Sequence, residues 1–226
     1  LLTGSADGTL MVWTTEVPDE SEITESKPVT KRAKAEQHAA NIVLKAPLAT
    51  CRDHVGAVTA VSFNRSSDKQ AFSGGWDHSV RTWDMEICTN VTTRVCEKVV
   101  LSVDHSSQNG LLASGHADKN IRLWDTRADD TSMVKLSLLG HSSWVPSVRW
   151  SPTSPYMLAS ASHDGSLRVW DIRSRTPLHT IKPSGSDAAS TRVSHARHER
   201  LLALEWSHGF LATGGESGKL SIYQVQ

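Results

Sequence analysis

The chain has 226 residues, and its 24 Lys and Arg residues balance its 24 Asp and Glu residues, so the formal net charge is zero. This balance argues against a general binder of polyanions, which would carry an excess of basic residues. The sequence contains no apolar run of 18 residues that could span a bilayer. Three cysteines without a C-x-x-C motif indicate neither a disulfide framework nor a zinc ribbon, and they favour a reducing compartment.

The aromatic residues indicate an internal repeat, since the chain has 8 Trp against 3 Phe and 2 Tyr. Similar stretches of sequence end at five aromatic positions, which are Trp13, Trp83, Trp124, Trp170 and Tyr223. A hydroxyl residue lies ten positions before each of them, namely Thr3, Ser73, Ser114, Ser160 and Thr213. An aspartate lies six positions before four of them, namely Asp7, Asp77, Asp118 and Asp164, and Ser217 takes its place in the fifth.

Each repeat is predicted to be entirely β. In the fourth repeat, Val145–Trp150 alternates with period two, and Met157–Ser162 ends at a turn built from His163, Asp164 and Gly165. Ser166–Asp171 alternates again, and a looser run follows at Leu178–Ile181. Four short strands with turns between them are typical of a β-propeller blade.

A polar cluster is predicted inside two of the repeats, because His54 and His141 lie 29 residues before Trp83 and Trp170. An aspartate in the turn can accept from the histidine, which can bond the strand serine, which can bond the indole N–H. We call this set the clasp, and its predicted members are His54, Ser73, Asp77, Trp83, Ser114, Asp118, Trp124, His141, Ser160, Asp164 and Trp170. A Ser-His-Asp catalytic triad has the same composition, but a triad is not repeated and this set lacks a G-x-S-x-G motif.

The chain resembles the WD-repeat family, with Trp-Asp at 83–84, 124–125 and 170–171 and Gly-His at 140–141. The departures from the motif are Asp53-His54, Arg94-Val95, Trp13-Thr14 and Tyr223-Gln224. The resemblance implies an all-β fold, a β-propeller of four-stranded blades. We expect this chain to be the C-terminal part of a seven-bladed ring, contributing about four and a half blades.

In chain order, residues 1–15 are predicted to hold a partial blade with the end of its second strand and its third strand. Residues 16–41 are an insert that we expect to be disordered, and 42–50 carry the fourth strand, resuming at about 42–44. Three blades follow, and a last blade lacks its fourth strand; these units cover 51–93, 94–135, 136–182 and 183–226.

The insert passes from acidic to basic residues, and its basic residues are Lys27, Lys31, Arg32 and Lys34. They could form a nuclear-import patch or contact RNA phosphates, and a solvated loop explains them equally well. His195 and His198 could supply two metal ligands, but no Cys or acidic triad completes a site. A solvated loop explains this pair better, so no metal is predicted.

Two tryptophans are not explained by the repeat. Trp76 precedes the turn residue Asp77, and Trp144 follows His141 by three positions. Both belong to loops on the face that carries the clasp histidines and aspartates, and His163 occupies the same turn position as Trp76. A loop Trp either packs against a neighbouring blade or is exposed for binding. Because an exposed Trp buries a large area with few rotatable bonds, we predict that Trp76, Trp144 and His163 bind a partner protein.

The order of the repeats and the position of the insert resemble the WD-repeat subunit of the PeBoW ribosome-biogenesis complex. The insert segment SKPVTKRAKAEQ is followed by a repeat that reads GGWDHSVRTWD. The resemblance implies a non-enzymatic scaffold without cofactors, located in the nucleolus and nucleoplasm. It would act in 60S subunit assembly and pre-rRNA processing.

The implied partners are a block-of-proliferation-type WD-repeat protein, a pescadillo-type protein and the pre-60S particle. An AAA remodelling ATPase would bind through an N-terminal domain that these 226 residues do not include. RNA contact would be indirect or weak, and no membrane contact is expected. The alternatives are a WD-repeat substrate receptor of a ubiquitin ligase, a histone or chromatin reader, and an enzyme built on a propeller.

Overall fold

The computed structural model describes residues 1–15, 46–127, 134–182 and 199–225. In these residues, 18 strands form five antiparallel sheets, which we call blades I to V, and there is no helix. Within the same ranges, no helix is long and apolar enough to cross a bilayer.

The strand bounds are as follows. Blade I contains β1 (Leu2–Gly4), β2 (Thr9–Val12) and β3 (Ala49–Arg52), and blade II contains β4 (Val58–Phe63), β5 (Gln70–Gly75), β6 (Ser79–Asp84) and β7 (Thr89–Val95). Blade III contains β8 (Val100–His105), β9 (Leu111–His116), β10 (Ile121–Asp125) and β11 (Leu136–Leu138). Blade IV contains β12 (Ser147–Trp150), β13 (Met157–Ala161), β14 (Leu167–Asp171) and β15 (Pro177–Ile181), and blade V contains β16 (Leu201–Ser207), β17 (Phe210–Gly215) and β18 (Leu220–Gln224).

The blades are arranged radially. The first strands β4, β8, β12 and β16 lie side by side. In blade I, β1 and β2 correspond to the second and third strands of the other blades. The second strands of blades I to IV, which are β1, β5, β9 and β13, each contact the first strand of the next blade. Within each blade the strands follow one another as a meander, and the repeat aromatic lies opposite an apolar residue of the second strand, as Trp83 does with Ala71. The propeller architecture predicted from the repeat is therefore confirmed.

The strand that pairs with β2 is β3, Ala49–Arg52, and it lies across the predicted boundary between residues 50 and 51. The predicted resumption at 42–44 and the insert at 16–41 lie outside the described residues.

The core consists of apolar layers between neighbouring blades. Trp83 packs with Leu2 and Leu10 between blades I and II, and Trp170 packs with Leu123 and Ile121 between blades III and IV. Corresponding layers separate blades II and III and blades IV and V. Because each layer is built from two blades, each blade depends on its neighbours for burial.

Close approach of the blades requires a small residue directly after the hydroxyl residue of the repeat, which is Thr3, Ser73, Ser114, Ser160 or Thr213. The small residues are Gly4, Gly74, Gly115, Ala161 and Gly214. A Cβ at Gly4 would lie 2.6 Å from Val58 Cγ1, and one at Gly74 would overlap Val100 Cγ1. At Gly214 a Cβ would meet open space.

The outer face of blade V is therefore uncovered in the described residues. Val80 of blade II is fully buried, whereas Leu220 at the same position of blade V is 70% exposed. Ile222, two residues further along β18, is 64% exposed.

Candidate functional site

The clasp is assembled in the same way in blades II and IV. In blade II, His54 Nε2 lies 2.6 Å from Ser73 Oγ, His54 Nδ1 lies 2.8 Å from Asp77 Oδ2, and Trp83 Nε1 donates to Ser73 Oγ at 2.7 Å. In blade IV the corresponding distances are 2.7, 3.0 and 2.8 Å, among the residues His141, Ser160, Asp164 and Trp170. A neutral imidazole that donates from Nδ1 and accepts at Nε2 satisfies every polar group in this chain of hydrogen bonds.

Electrostatics favour this protonation state. Burial lowers the pKa of His54 and of His141, although the hydrogen bonds to Asp77 and Asp164 act in the opposite direction. Burial would raise the pKa of Asp164, but hydrogen bonds from His141, Ser166 and Ser142 outweigh it and hold that pKa well below its usual range. The pair is therefore a neutral histidine beside a carboxylate.

The clasp serines are inaccessible. Ser73 and Ser160 are both completely buried, and each hydroxyl already contacts an imidazole and an indole. A substrate could not reach either oxygen without unfolding the blade, so this geometry does not provide a nucleophile.

Blade III builds its clasp differently. Trp124 Nε1 donates to Ser114 Oγ at 2.7 Å, but the partner imidazole is that of His116, whose Nε2 lies 2.8 Å from the same oxygen. Asp118 binds the guanidinium of Arg122 through both carboxylate oxygens, at 2.6 and 3.2 Å. The repeat spacing placed the histidine of this blade near residues 94–95 and so did not predict His116; a histidine two positions after the serine was the available signal.

The clasps of blades I and V are reduced. In blade I, Trp13 Nε1 donates to Thr3 Oγ1 at 2.9 Å. In blade V, the buried Thr213 Oγ1 has no hydrogen-bond partner among the described residues. His195 and His198 lie outside those residues, as do Lys27, Lys31, Arg32 and Lys34.

The turn between the second and third strands of each blade has a fixed form. The residue after the turn aspartate has positive φ in blades I to IV, as at His78 (61°), Lys119 (69°) and Gly165 (76°). The aspartate Oδ1 accepts from the backbone N–H two residues ahead, which is the local bond that Asp favours in turns. The residue before the aspartate is thereby held at the rim of the blade.

That residue is paired with the loop entering the same blade. The backbone N–H of Trp76 donates to the carbonyl of Ala57 at 2.9 Å, and the backbone N–H of His163 donates to the carbonyl of Trp144 at 2.9 Å. Blades II and IV therefore each carry one indole in the same pair of hydrogen-bonded positions. In blade II the indole is on the turn residue, Trp76, and in blade IV it is on the loop residue, Trp144. Both tryptophans stand out in the sequence because the repeat does not explain them, but the pairing that relates them is visible only in the structure.

The two indoles are exposed. Trp76 is 55% exposed and Trp144 is 45% exposed. The structure brings Trp144 and His163 together, with ring centroids 5.8 Å apart and an angle of 24° between the planes. Trp76 belongs to blade II, so blade III separates it from this pair.

The same paired position holds different residues in blades III and V. In blade III, Ala117 N–H donates to the carbonyl of Val99 at 3.1 Å. In blade V, Glu216 N–H donates to the carbonyl of Arg200 at 3.0 Å, and the two side chains form an ion pair at 3.4 Å. Along the rim, a position with only small side chains therefore lies between two that carry indoles.

A metal centre is not built by the described ranges 1–15, 46–127, 134–182 and 199–225, which contain no group of three or more His, Cys, Asp or Glu placed to hold an ion. The cysteines Cys51, Cys88 and Cys96 are unpaired thiols. Burial raises the pKa of Cys96 to about 12, which keeps that thiol protonated and unreactive.

The chain is similar over nearly its whole length to known proteins that are named for ribosome biogenesis. The chain is 37% identical over 223 residues to the protein named ribosome biogenesis protein WDR12 homolog of Nematostella vectensis, covering 97% of this chain and 50% of that protein. It is 31% identical over 232 residues to ribosome biogenesis protein YTM1 of Kluyveromyces lactis, covering 98% of this chain and 51% of that one.

The chain thus spans about half the length of these relatives. A family model described as "WD domain, G-beta repeat" matches residues 45–84, 89–125 and 133–171, in blades I to IV. The chain belongs to the WD40-repeat family.

Proposed function

We propose that this chain is part of a non-enzymatic scaffold for assembly of the large ribosomal subunit and processing of pre-rRNA, acting in the nucleolus and nucleoplasm. The observation that carries the proposal is the similarity over nearly the whole chain to proteins named for ribosome biogenesis. The buried clasps support a scaffold, because their hydroxyls and carboxylates are used within the blades.

The proposed binding surface is the rim that carries Trp76, Trp144 and His163. Large exposed aromatic side chains on rigid turns are suitable interface anchors, since little conformational entropy is lost when they are buried. We propose that the rim docks on the propeller of a block-of-proliferation-type WD-repeat protein, in a complex with a pescadillo-type protein. An AAA remodelling ATPase would be engaged through a domain outside these residues.

Affinity purification of the full-length protein from cell extract, followed by mass spectrometry and RNA sequencing, tests the function. We expect large-subunit precursors and their assembly proteins to be enriched over an unrelated WD40 control. Enrichment of ubiquitin-ligase subunits or of histones, without pre-ribosomal material, would contradict the proposal and favour the alternative classes of WD40 protein.

Replacing Trp76 or Trp144 with alanine tests the surface. Each substitution is expected to weaken binding of the assembly proteins by at least about 1–2 kcal/mol, because a buried interface Trp contributes on this scale. Binding is measured by titrating the purified full-length protein against the co-purified complex. Tyr156→Ala is the matched control, since Tyr156 is 44% exposed but lies in a loop on the opposite rim. Equal binding by W76A, W144A and the wild type would remove the surface from the proposal.

A further inference from the structure

The position between the two indoles is apolar and partly accessible. Val99 and Ala117 are both half-buried, and they occupy in blade III the paired position that holds Trp76 in blade II and Trp144 in blade IV. We call this position, with its neighbours Lys98 and Lys119, the Ala117 site. A small apolar surface between larger exposed aromatics offers room for a side chain from a partner.

The charged residues beside the Ala117 site include more basic than acidic side chains. Asp118 is neutralised by its bidentate contact with Arg122, and Glu97 lies 3.8 Å from the same guanidinium. Lys98 and Lys119 are exposed, and neither forms an ion pair with any of the described residues. One positive charge is therefore in excess, carried by side chains free to turn towards a ligand.

We propose that the Ala117 site receives a segment of a partner protein in which an apolar side chain is flanked by carboxylates. The apolar side chain would lie over Val99 and Ala117, and the carboxylates would pair with Lys98 and Lys119. This inference rests on the proposed function, because it assigns the chemistry of the partner that the rim binds.

A nucleic acid fits the site less well. A phosphate backbone could pair with Lys98 and Lys119, but it would leave the apolar surface of Val99 and Ala117 uncovered. The small apolar surface also offers no aromatic face of its own on which a base could stack.

Filling the site gives the first test. Ala117→Trp adds a third indole and is expected to reduce recovery of the assembly proteins with the full-length protein by about tenfold or more, by excluding the partner side chain. Ala6→Trp is the matched control, because Ala6 precedes Asp7 in the equivalent turn of blade I; Ala6 is exposed, whereas Ala117 is half-buried. Equal loss in both variants, or no loss in either, would overturn the assignment.

Charge reversal gives the second test. The double variant Lys98→Glu, Lys119→Glu should slow association by about tenfold at low salt and flatten the salt dependence of the association rate. Lys69→Glu with Lys135→Glu is the control and should leave the rate unchanged, because these lysines lie in loops on the opposite rim, where they pair with Glu86 and Asp125. An unchanged rate and salt dependence in the first double variant would contradict the proposed partner chemistry.

A photo-crosslinking amino acid at position 117 of the full-length protein identifies the occupant. We expect a cross-linked peptide with an apolar residue between acidic ones; cross-links to RNA, or to a basic peptide, would overturn the inference. The two proposals fail separately: a full-length protein that recovers no pre-ribosomal material contradicts the function. Normal recovery by the Ala117→Trp variant contradicts only the site.

Discussion

The Ser160 hydroxyl takes part in two hydrogen bonds at once, accepting from the Trp170 indole and donating to His141. Its position allows both because β13 brings it beside the third strand and beneath the loop that carries the histidine. Each polar group in the clasp is therefore paired only while all of its members are present.

Removing the Ser160 hydroxyl should be costly. Ser160→Ala leaves a buried indole N–H and a buried imidazole nitrogen unpaired, so we expect the free energy of unfolding to fall by about 2–4 kcal/mol. Urea denaturation of the full-length protein measures this change. Thr213→Val is the control, because the Thr213 Oγ1 has no partner among the described residues and its loss should be neutral or stabilising. A loss of less than about 0.5 kcal/mol, the range typical of surface substitutions, would show that the clasp does not stabilise the blade.

Buried histidines make stability depend on pH. Burial lowers the pKa of His105 and of His116 to about 4, with smaller contributions from nearby arginines. In the unfolded chain a histidine titrates at about pH 6.5. Folding therefore favours the neutral form, so this stability is complete above that pH and is lost as the pH falls from there towards 4.

We expect the free energy of unfolding to decrease by up to about 1.4 kcal/mol per pH unit for each of these two histidines across that window. Denaturation midpoints measured between pH 7 and pH 4 check the slope. His105→Asn should make the dependence shallower. A constant midpoint down to pH 5 would contradict the prediction.

At the scale of the strands, the repeat spacing predicted the clasp positions because each hydroxyl, turn and aromatic is fixed by local β geometry. The spacing did not predict His116, because in blade III the imidazole comes from within β9 and not from the preceding loop. It also did not predict the paired rim positions of Trp76 and Trp144, since a backbone hydrogen bond between a loop and a turn leaves no pattern in side-chain types.

Glycine follows the clasp hydroxyl in blades I to III, where a Cβ would lie too close to the next blade. Gly74→Ala should lower the stability by about 1–3 kcal/mol, because the new methyl group overlaps Val100 Cγ1. Combining it with Val100→Ala should relieve the overlap, so the double variant should lose less stability than the sum of the two single variants. Thermal denaturation of the three full-length variants measures this; strictly additive losses would rule out a clash between these residues.

At the scale of the whole molecule, stability and recognition are placed in different regions. The clasps and the apolar layers lie between strands and between blades, whereas the tryptophans lie on turns at the rim. Rim residues can therefore vary without loss of the fold, which is why the repeat motif identifies the architecture and only the residues outside the motif distinguish one WD40 protein from another.

The open space at Gly214 defines what any covering strand must look like. Blades I and II each receive a valine of the following blade at this position, Val58 beside Gly4 and Val100 beside Gly74. A strand laid against β17 would complete the pattern with a β-branched side chain over Gly214 and would shield Leu220 and Ile222 from water. The surface of blade V therefore favours a covering strand with a β-branched residue opposite Gly214 and apolar residues opposite Leu220 and Ile222.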